Sequence, residues 1–206
     1  MSVIDLTFTR LNPISMPIKV PSNYCIHCTL PDDYCVCDLA PSIILPTNCT
    51  ILFHPRELSK RNSTGRLLKS CTDVKSDTWH RLKNEQMEAA FYDYALVYPA
   101  LESDTNYKEA PIDAKGLLLI DSTWQESRKM IRQSPWLKKM RKYSIKSTPS
   151  TFCLRRNQTE GGLSTLESLA FWLKDQHKHE HAAQLLHYFH HFQQAFLKAR
   201  QAGLLK

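Results

Sequence analysis

The sequence predicts an α/β fold with a largely parallel sheet, and three observations support this class. Continuous apolar runs, typical of strands buried on both faces, occur at 50–53, 95–98 and 116–120. Helical patterns alternate with these runs at 79–90, 124–133, 165–175 and 178–202. Hydrophobic residues make up 42% of the 206 residues, which is enough for one domain with a buried core.

The chain divides into three segments with different composition, at 1–22, 23–41 and 42–206. The first segment contains Pro13, Pro17 and Pro21 and is expected to form an extended arm. The second segment is a small cysteine-rich knuckle that closes at Pro41. The third segment contains the apolar runs and is the predicted α/β domain.

Within the third segment, local signals place the remaining elements. A polar and basic loop, 54–66, follows the first strand, and short strands are expected at 142–146 and 151–154. Ser164 is followed three residues later by Glu167, which is the pattern of a capping box. A helix should therefore begin at residue 165.

The knuckle contains Cys25, Cys28, Cys35 and Cys37 in the pattern C-x2-C-x6-C-x-C. The seven cysteines of the chain are an odd number and this group is tightly spaced, so a disulfide framework is not favoured. Two close thiolate pairs suit a tetrahedral metal, and zinc with four cysteines is a closed, structural site. Reduced cysteines without a metal and an iron–sulfur cluster are the alternatives.

Composition also excludes several classes of protein. The five glycines form neither G-x-G-x-x-G nor G-x-x-x-x-G-K, so a Rossmann oxidoreductase and a P-loop nucleotidase are poor hypotheses. No run of 18 apolar residues occurs, and the first twenty residues lack the basic start and apolar stretch of a secretory signal. We therefore expect a cytoplasmic protein.

The net charge of +7 suggests an acidic partner, and basic residues are dense enough to contact nucleic-acid phosphates. The candidates for RNA binding are Arg61, Arg66, Arg128, Arg155 and Arg156. Solvated helix faces would explain about half of the basic residues equally well.

Ligands of parallel sheets bind beyond the carboxyl ends of the strands, where Asp121-Ser122-Thr123-Trp124 follows the most apolar strand. A carboxylate in apolar surroundings suits a general base, so Asp121 is a candidate for that role. The alternative is that Asp121 caps the next helix. Thr123 can hydrogen-bond a ligand, and Trp124 can offer a stacking face.

An ordered set of short motifs runs through the chain. They are C-x2-C-x6-C-x-C, Ser63-Thr64-Gly65-Arg66-Leu67, Tyr98-Pro99, Leu119-Ile120-Asp121-Ser122-Thr123-Trp124, Glu126-Ser127-Arg128-Lys129-Met130, Ser134-Pro135-Trp136-Leu137, Leu154-Arg155 and Ser164-Thr165-Leu166-Glu167. Through these motifs the chain resembles the DTW-domain family of tRNA-uridine aminocarboxypropyltransferases over residues 24–200. Each motif alone is weak, but their order and spacing are specific.

This resemblance implies a SPOUT-like, knotted α/β fold, S-adenosylmethionine as donor and tRNA as partner of a monomeric enzyme. The implied reaction transfers the 3-amino-3-carboxypropyl group of the donor to N3 of a uridine and releases methylthioadenosine. Asp121 is the candidate base, and Glu57 and Glu167 are alternatives to it. The implied donor-binding residues are Tyr98, Pro99, Ser122, Thr123, Trp124, Leu163, Ser164 and Thr165.

Two other functions remain compatible with the sequence. A SPOUT-type methyltransferase would use the same donor but would release S-adenosylhomocysteine. A non-enzymatic zinc-ribbon protein that binds RNA would not need Asp121, and it would leave the 121–124 and 164–167 segments unexplained.

Overall fold

The computed structural model describes residues 20–99, 107–108, 114–145, 149–154 and 162–205. Within these ranges the strands are β1 Asn48–Phe53, β2 Lys75–Thr78, β3 Tyr94–Val97, β4 Tyr107–Lys108, β5 Gly116–Asp121 and β6 Arg141–Tyr143. The helices are α1 Thr64–Cys71, α2 Asn84–Ala90, α3 Trp124–Gln133, α4 Pro135–Lys139, α5 Thr165–Asp175 and α6 His179–Gln201. Single turns of 3-10 helix occur at Asp32–Tyr34, Cys37–Leu39 and Glu57–Ser59.

The strands form one sheet in the order β2-β1-β5-β3-β6-β4. Every strand pairing in the described ranges is parallel, which confirms the predicted α/β class with a parallel sheet. The longest pairing joins β1 to β5, from Asn48 opposite Gly116 to Phe53 opposite Asp121. The carboxyl ends of β1, β5 and β3 therefore meet at one edge of the sheet.

Helices cover both faces of the sheet because successive side chains of a strand point to opposite sides. Ile51 and Leu119 belong to a core that also includes buried residues of α1, α5 and α6. Leu52 and Leu118, one position away on the same strands, pack in a second core with residues of α2, α3 and α4. The continuous apolar runs in β1 and β5 thus result from burial on both faces.

Several local predictions were wrong or incomplete. Residues 151–154 are not a strand, because the Thr151 and Cys153 N–H groups donate to the side chains of Glu167 and Gln193 instead of to a neighbouring strand. The helix predicted at 79–90 begins only at Asn84, and β6 ends at Tyr143. The polar edge strand β2 was not predicted, because its side chains are largely exposed and lack an apolar pattern.

Other predictions are confirmed or lie outside the described residues. Helices α3 and α5 have the predicted bounds, and α6 agrees to within one residue at each end. Residues 1–19 of the predicted arm, together with Arg155 and Arg156, lie outside the described ranges. No helix in the described part of the chain combines the length and the apolar character needed to cross a bilayer.

Candidate functional site

Asp121 ends β5 and is nearly buried, with 1% of its surface exposed. Ser63 Oγ donates to Asp121 Oδ2 at 2.6 Å, and the Gly65 N–H donates to the same oxygen at 3.1 Å. Thr165 Oγ1 donates to Oδ1 at 3.0 Å. We call these four residues the clasp, because Asp121 ties the end of β5 to the starts of α1 and α5.

The clasp explains the Ser63-Thr64-Gly65-Arg66 motif. Ser63 is the N-cap of α1, and its Oγ accepts a hydrogen bond from the Arg66 N–H. A Cβ atom on Gly65 would lie 2.5 Å from Asp121 Oδ2 and 2.9 Å from the Phe53 ring. Glycine is therefore required so that the backbone can approach the carboxylate closely.

The geometry tests one of the two roles predicted for Asp121, the capping of the next helix, and leaves the other, the general base, open. The N-cap of α3 is Thr123, and Asp121 still belongs to β5, so the prediction that Asp121 caps the next helix is wrong. Both Asp121 oxygens accept hydrogen bonds from buried donors, and the side chain has almost no contact with solvent. This arrangement favours a positioning role, while the role of general base stays a prediction.

A capping box begins α3 beside the clasp. Thr123 Oγ1 accepts from the Glu126 N–H at 3.3 Å, and Glu126 Oε2 accepts from the Thr123 N–H at 2.9 Å and from its hydroxyl at 2.8 Å. These bonds satisfy two donors at the start of the helix. They also fix the backbone that carries Trp124.

Tyr98 and Trp124 form an aromatic pair at the same edge of the sheet. Their rings stack with centroids 5.3 Å apart and an angle of 11° between the ring planes. The Tyr98 hydroxyl lies 3.3 Å from Ser127 Oγ, and burial raises the pKa of Tyr98, which keeps the phenol protonated. Tyr98 is buried, whereas Trp124 is half-buried and reaches the surface.

The other predicted donor-binding residues differ in how far their side chains are buried. Pro99 is exposed, and the half-buried members are Ser122, Thr123 and Leu163. Ser164 and Thr165 are buried, and their hydroxyls are engaged with the start of α5 and with Asp121. The exposed or half-buried surface at this edge therefore lies at 99, 122–124 and 163, and the Ser122 and Thr123 hydroxyls there are already hydrogen-bonded.

A cluster of charged and titratable side chains lies beyond the end of β1, formed by His54, Glu57, Lys60 and Glu126, and we call it the edge cluster. Lys60 Nζ is 2.5 Å from Glu57 Oε1 and 3.9 Å from Glu126 Oε2. His54 Nδ1 is 3.6 Å from Glu126 Oε1, and the His54 ring stacks on Trp79. Glu57 is fully buried, whereas 34% of the Lys60 side chain is exposed.

The charges of the edge cluster are tuned by burial and by neighbouring groups. Burial lowers the pKa of His54, and this outweighs the opposing effect of Glu126. Burial alone would raise the pKa of Glu126, but the hydrogen bonds from Thr123 and the charges of Lys60 and His54 lower it. At neutral pH, Glu126 is ionised and His54 is neutral.

Sequence reasoning did not single out His54 or Glu126 as site residues, although a usable signal was present. His54 directly follows β1, just as the 122–124 segment directly follows β5. The rule that ligands bind at the carboxyl ends of parallel strands therefore applies to both segments.

Glu167 occupies the equivalent position in the capping box of α5, but its surroundings are closed. Its carboxylate is fully buried and accepts from the Ser164 N–H at 2.8 Å. It also accepts from Ser150 Oγ at 2.8 Å and from the Thr151 N–H at 2.6 Å. The predicted capping box is confirmed, and Glu167 additionally holds the 150–151 segment against α5.

The four predicted metal ligands meet in the knuckle. The sulfurs of Cys25, Cys28, Cys35 and Cys37 all lie within 4.8 Å of one another. The Cys25–Cys37 and Cys28–Cys35 sulfurs are 3.6 and 3.8 Å apart. A tetrahedral shell with metal–sulfur bonds of about 2.3 Å places its sulfurs about 3.8 Å apart, so the geometry fits zinc.

The electrostatics of the cluster also favour a cation. A hydrogen bond from Cys37 lowers the pKa of Cys28 to about 5, while burial raises the pKa of Cys35 to about 11. Without a cation, only part of the set would therefore ionise at neutral pH. A bound divalent ion would stabilise all four thiolates.

The knuckle is attached to the clasp through buried polar contacts. Arg66 Nη1 donates to Thr29 Oγ1 at 3.4 Å, and Arg66 Nη2 donates to the Leu58 carbonyl at 3.1 Å. Thr29, directly after Cys28, donates to the Arg61 carbonyl. The ring of Tyr24 lies under the Arg61 guanidinium at 4.4 Å. Arg61 and Arg66 therefore both help to join the knuckle to the 54–66 loop.

These contacts change the interpretation of the predicted RNA-binding arginines. Arg66 is only 4% exposed and its guanidinium is used internally, which speaks against direct contact with phosphates. Arg61 is half-buried, whereas Arg128 on α3 is exposed beside the aromatic pair. The burial of Arg66 depends on Thr29, a distant residue in the sequence, so local spacing could not reveal it.

Comparison with known families places this site in context. The family model described as the DTW domain matches residues 22–197. The chain belongs to the DTW domain family. The match includes the knuckle, the clasp and the edge cluster.

One similar curated protein is tRNA-uridine aminocarboxypropyltransferase 2 of Drosophila melanogaster, which is 27% identical over 164 residues. The alignment covers 72% of this chain and 64% of that relative, so the chain spans less than two thirds of its length. No solved structure matches this chain.

Proposed function

We propose that the protein is a tRNA-uridine aminocarboxypropyltransferase. One observation carries this proposal: a chain of the DTW domain family brings the Tyr98–Trp124 pair, the clasp and the edge cluster to a single edge of its parallel sheet. The name of the Drosophila melanogaster relative supports the reaction class and tRNA as the substrate.

The donor in this proposal is S-adenosylmethionine, whose sulfonium makes methylthioadenosine a good leaving group. The exposed part of Trp124 can stack on a purine, and the backbone at 122–124 is fixed by the Thr123–Glu126 capping box. Pro99 and Leu163 offer further accessible surface at this edge. This combination of one aromatic face and nearby polar groups is typical of small-molecule sites.

The chemical task of the site is to orient a uridine and to accept its N3 proton. N3 forms a bond with the γ-carbon of the aminocarboxypropyl group while the bond from that carbon to the sulfur breaks and its electron pair stays on sulfur, so the sulfur needs no acid. Positioning is therefore the main demand on the protein. We propose that Asp121 meets this demand by holding α1 and α5 at the edge, with the N3 proton passing to solvent water. The alternative that Asp121 itself accepts the proton is tested below.

Two further parts of the prediction remain proposals. We propose that Cys25, Cys28, Cys35 and Cys37 hold a structural zinc ion, which would cross-link the knuckle. We also propose a SPOUT-like knotted topology. The insertion of β5 between β1 and β3 and the contact of Thr165 with the end of β5 support it.

The proposed tRNA surface includes Arg128 and the basic residues Arg155 and Arg156, with a smaller share for Arg61. The exposure of Arg128 next to Trp124 supports a role in contacting the phosphates near the target uridine. Such contacts predict tRNA binding that weakens steeply as the salt concentration rises.

Incubation with S-adenosylmethionine and unmodified tRNA, followed by mass spectrometry of the nucleosides, tests the proposal. We expect an aminocarboxypropyl uridine and one methylthioadenosine for each modified nucleoside. A methylated nucleoside together with S-adenosylhomocysteine would instead identify a methyltransferase. The absence of any modified nucleoside with a complete set of unmodified tRNAs would contradict both activities.

A further inference from the structure

The edge cluster places the Lys60 ammonium between two carboxylates, with a neutral imidazole beside the second, at the edge of the proposed site. The order is Glu57, Lys60, Glu126 and then His54, with Lys60 in contact with both carboxylates. Lys60 and Glu126 are separated by 3.9 Å, which is longer than a hydrogen bond. Each of these two groups therefore retains capacity to bind a polar ligand group of opposite charge.

The accessibility of the cluster decreases from Lys60 to Glu57. The Lys60 side chain is 34% exposed and that of Glu126 is 14% exposed, whereas the Glu57 side chain is 1% exposed. Glu57 thus anchors the ammonium of Lys60 from the protein side. An ammonium has three N–H donors, so two donors of Lys60 can still point away from Glu57 and toward a ligand.

Such an arrangement matches a zwitterion better than a single ion. A carboxylate can bind to Lys60, and an ammonium can bind to Glu126. The two side chains are close enough to bind a carboxylate and an ammonium that are attached to the same carbon atom. We propose that Lys60 and Glu126 bind the α-carboxylate and the α-ammonium of the amino-acid end of the donor. This inference rests on the proposed function, because it assigns a part of the same site.

The position of the cluster relative to the aromatic pair supports the assignment. Glu126 is bonded to Thr123, the residue immediately before Trp124, so the two features share one fixed turn. Trp124 offers a stacking face for the adenine end of the donor, and the cluster offers charges for the opposite end. His54 stacks on Trp79 and lies beside Glu126, and it forms the boundary of the cluster next to β1.

An ion-pair network that only stabilises the 54–60 loop is the competing explanation. The Lys60–Glu126 pair is partly exposed, and such pairs contribute little to stability, so a purely structural role would make the charge of Glu126 nearly dispensable. A binding role instead predicts that the charges matter for one class of ligand, namely molecules that carry the amino-acid group.

Calorimetric binding of S-adenosylmethionine and of methylthioadenosine, which lacks the amino-acid group, separates these explanations. The variants are Lys60→Met and Glu126→Gln, and glutamine keeps an oxygen for the capping box. The matched controls are Lys139→Met and Glu88→Gln, an exposed pair at 3.9 Å on α4 and α2. Thermal unfolding of all four variants shows whether they are folded.

We expect each edge-cluster variant to bind S-adenosylmethionine about 10-fold or more weakly, because a charge-assisted hydrogen bond is lost. Affinity for methylthioadenosine should change less than about twofold, a difference too small to correspond to a lost hydrogen bond. The control variants should bind both ligands as the wild type does.

Three results would overturn the inference. Unchanged affinity of Lys60→Met and Glu126→Gln for S-adenosylmethionine would exclude the cluster from binding. Equal losses for both ligands would mean that the cluster only supports the fold of the site. If Lys60→Met does not fold, because the buried Glu57 carboxylate loses its bond to Lys60, Glu126→Gln alone decides. Failure of the wild type to bind either ligand would instead reject the proposed function, and this inference with it.

Discussion

The edge of the sheet has two sides that begin with the same local motif and differ in what surrounds it. On one side, the Ser164–Glu167 capping box starts α5 next to the clasp, and Glu167 is fully buried among donors from 150–151. On the other side, the Thr123–Glu126 box starts α3, and Glu126 faces His54 and Lys60 at the surface. We call these the closed side and the open side.

The comparison shows that a capping box identifies the start of a helix but not the purpose of its glutamate. Each box uses one carboxylate oxygen for the N-cap backbone, so the neighbours of the carboxylate decide the rest. On the closed side those neighbours are uncharged hydrogen-bond donors, which occupy both oxygens of the carboxylate. On the open side the neighbours are the buried imidazole of His54 and the partly exposed ammonium of Lys60, so the carboxylate keeps the capacity to bind a ligand that we propose for it.

Substitution of Asp121 should cause the largest loss of stability on the closed side. Asp121→Ala should lower the free energy of unfolding by about 3–5 kcal/mol, because three buried donors lose their acceptor. Asp121→Asn should cost about 1 kcal/mol, since its amide oxygen can face Ser63 and Gly65 while its NH2 group donates to Thr165. Urea denaturation of both variants measures the difference.

The Asp121→Asn variant also decides the role of Asp121 in the reaction. A positioning role predicts that Asp121→Asn transfers within about tenfold of the wild-type rate, whereas loss of a general base costs about 10²–10⁴. Single-turnover transfer with both substrates saturating is the measurement. A folded Asp121→Asn variant with the larger loss would establish Asp121 as the base and refute the assignment made from the clasp.

The two capping-box glutamates provide the direct comparison. Glu167→Ala should lower the free energy of unfolding by about 3 kcal/mol, because buried donors of Ser150, Thr151 and Ser164 lose their acceptor. Glu126→Ala should cost only about 1 kcal/mol, the usual contribution of a capping interaction. Chemical denaturation of the two variants tests this order, and equal losses would show that the open side is as structural as the closed side.

The knuckle should contribute to both sides, since Arg66 links Thr29 to the 54–66 loop, which carries most of the edge cluster, and its N–H is bonded to Ser63 of the clasp. Cys35→Ser should remove most of the bound zinc and cost about 1–2 kcal/mol through the weakened Thr29–Arg66 contacts. Cys153→Ser, at an exposed cysteine outside the cluster, is the matched control. Elemental analysis should find one zinc per chain in the control, and its absence from the wild type would refute the zinc proposal.

The smallest expected effect concerns pH on the open side. Because burial lowers the pKa of His54, the unfolded chain takes up the proton first as the pH falls below about 6.5. The free energy of unfolding should therefore decrease on acidification, and His54→Gln should remove less than about 1 kcal/mol of that decrease between pH 7.5 and 5.5.

Thermal unfolding across this pH range, compared with the control His190→Gln on the exposed face of α6, isolates the effect of His54. A wild-type pH dependence identical to that of His54→Gln would show that the imidazole is not held neutral by the fold.

The sequence by itself determined the α/β class, the limits of α3 and α5, the four-cysteine cluster and the membership of a family. The first three depend on periodicity, capping signals and cysteine spacing, which act over a few neighbouring residues, and the family depends on the order of short motifs along the chain. They are therefore readable without knowledge of the fold.

Only the tertiary structure decided what the charged residues do. It brought Ser63, Gly65 and Thr165 onto Asp121, buried Arg66 against Thr29, and left Lys60 and Glu126 accessible beside Trp124. The burial and the partners of a charged group come from segments that are distant in the sequence. For that reason two glutamates in identical local motifs have opposite environments, and no local pattern distinguishes them.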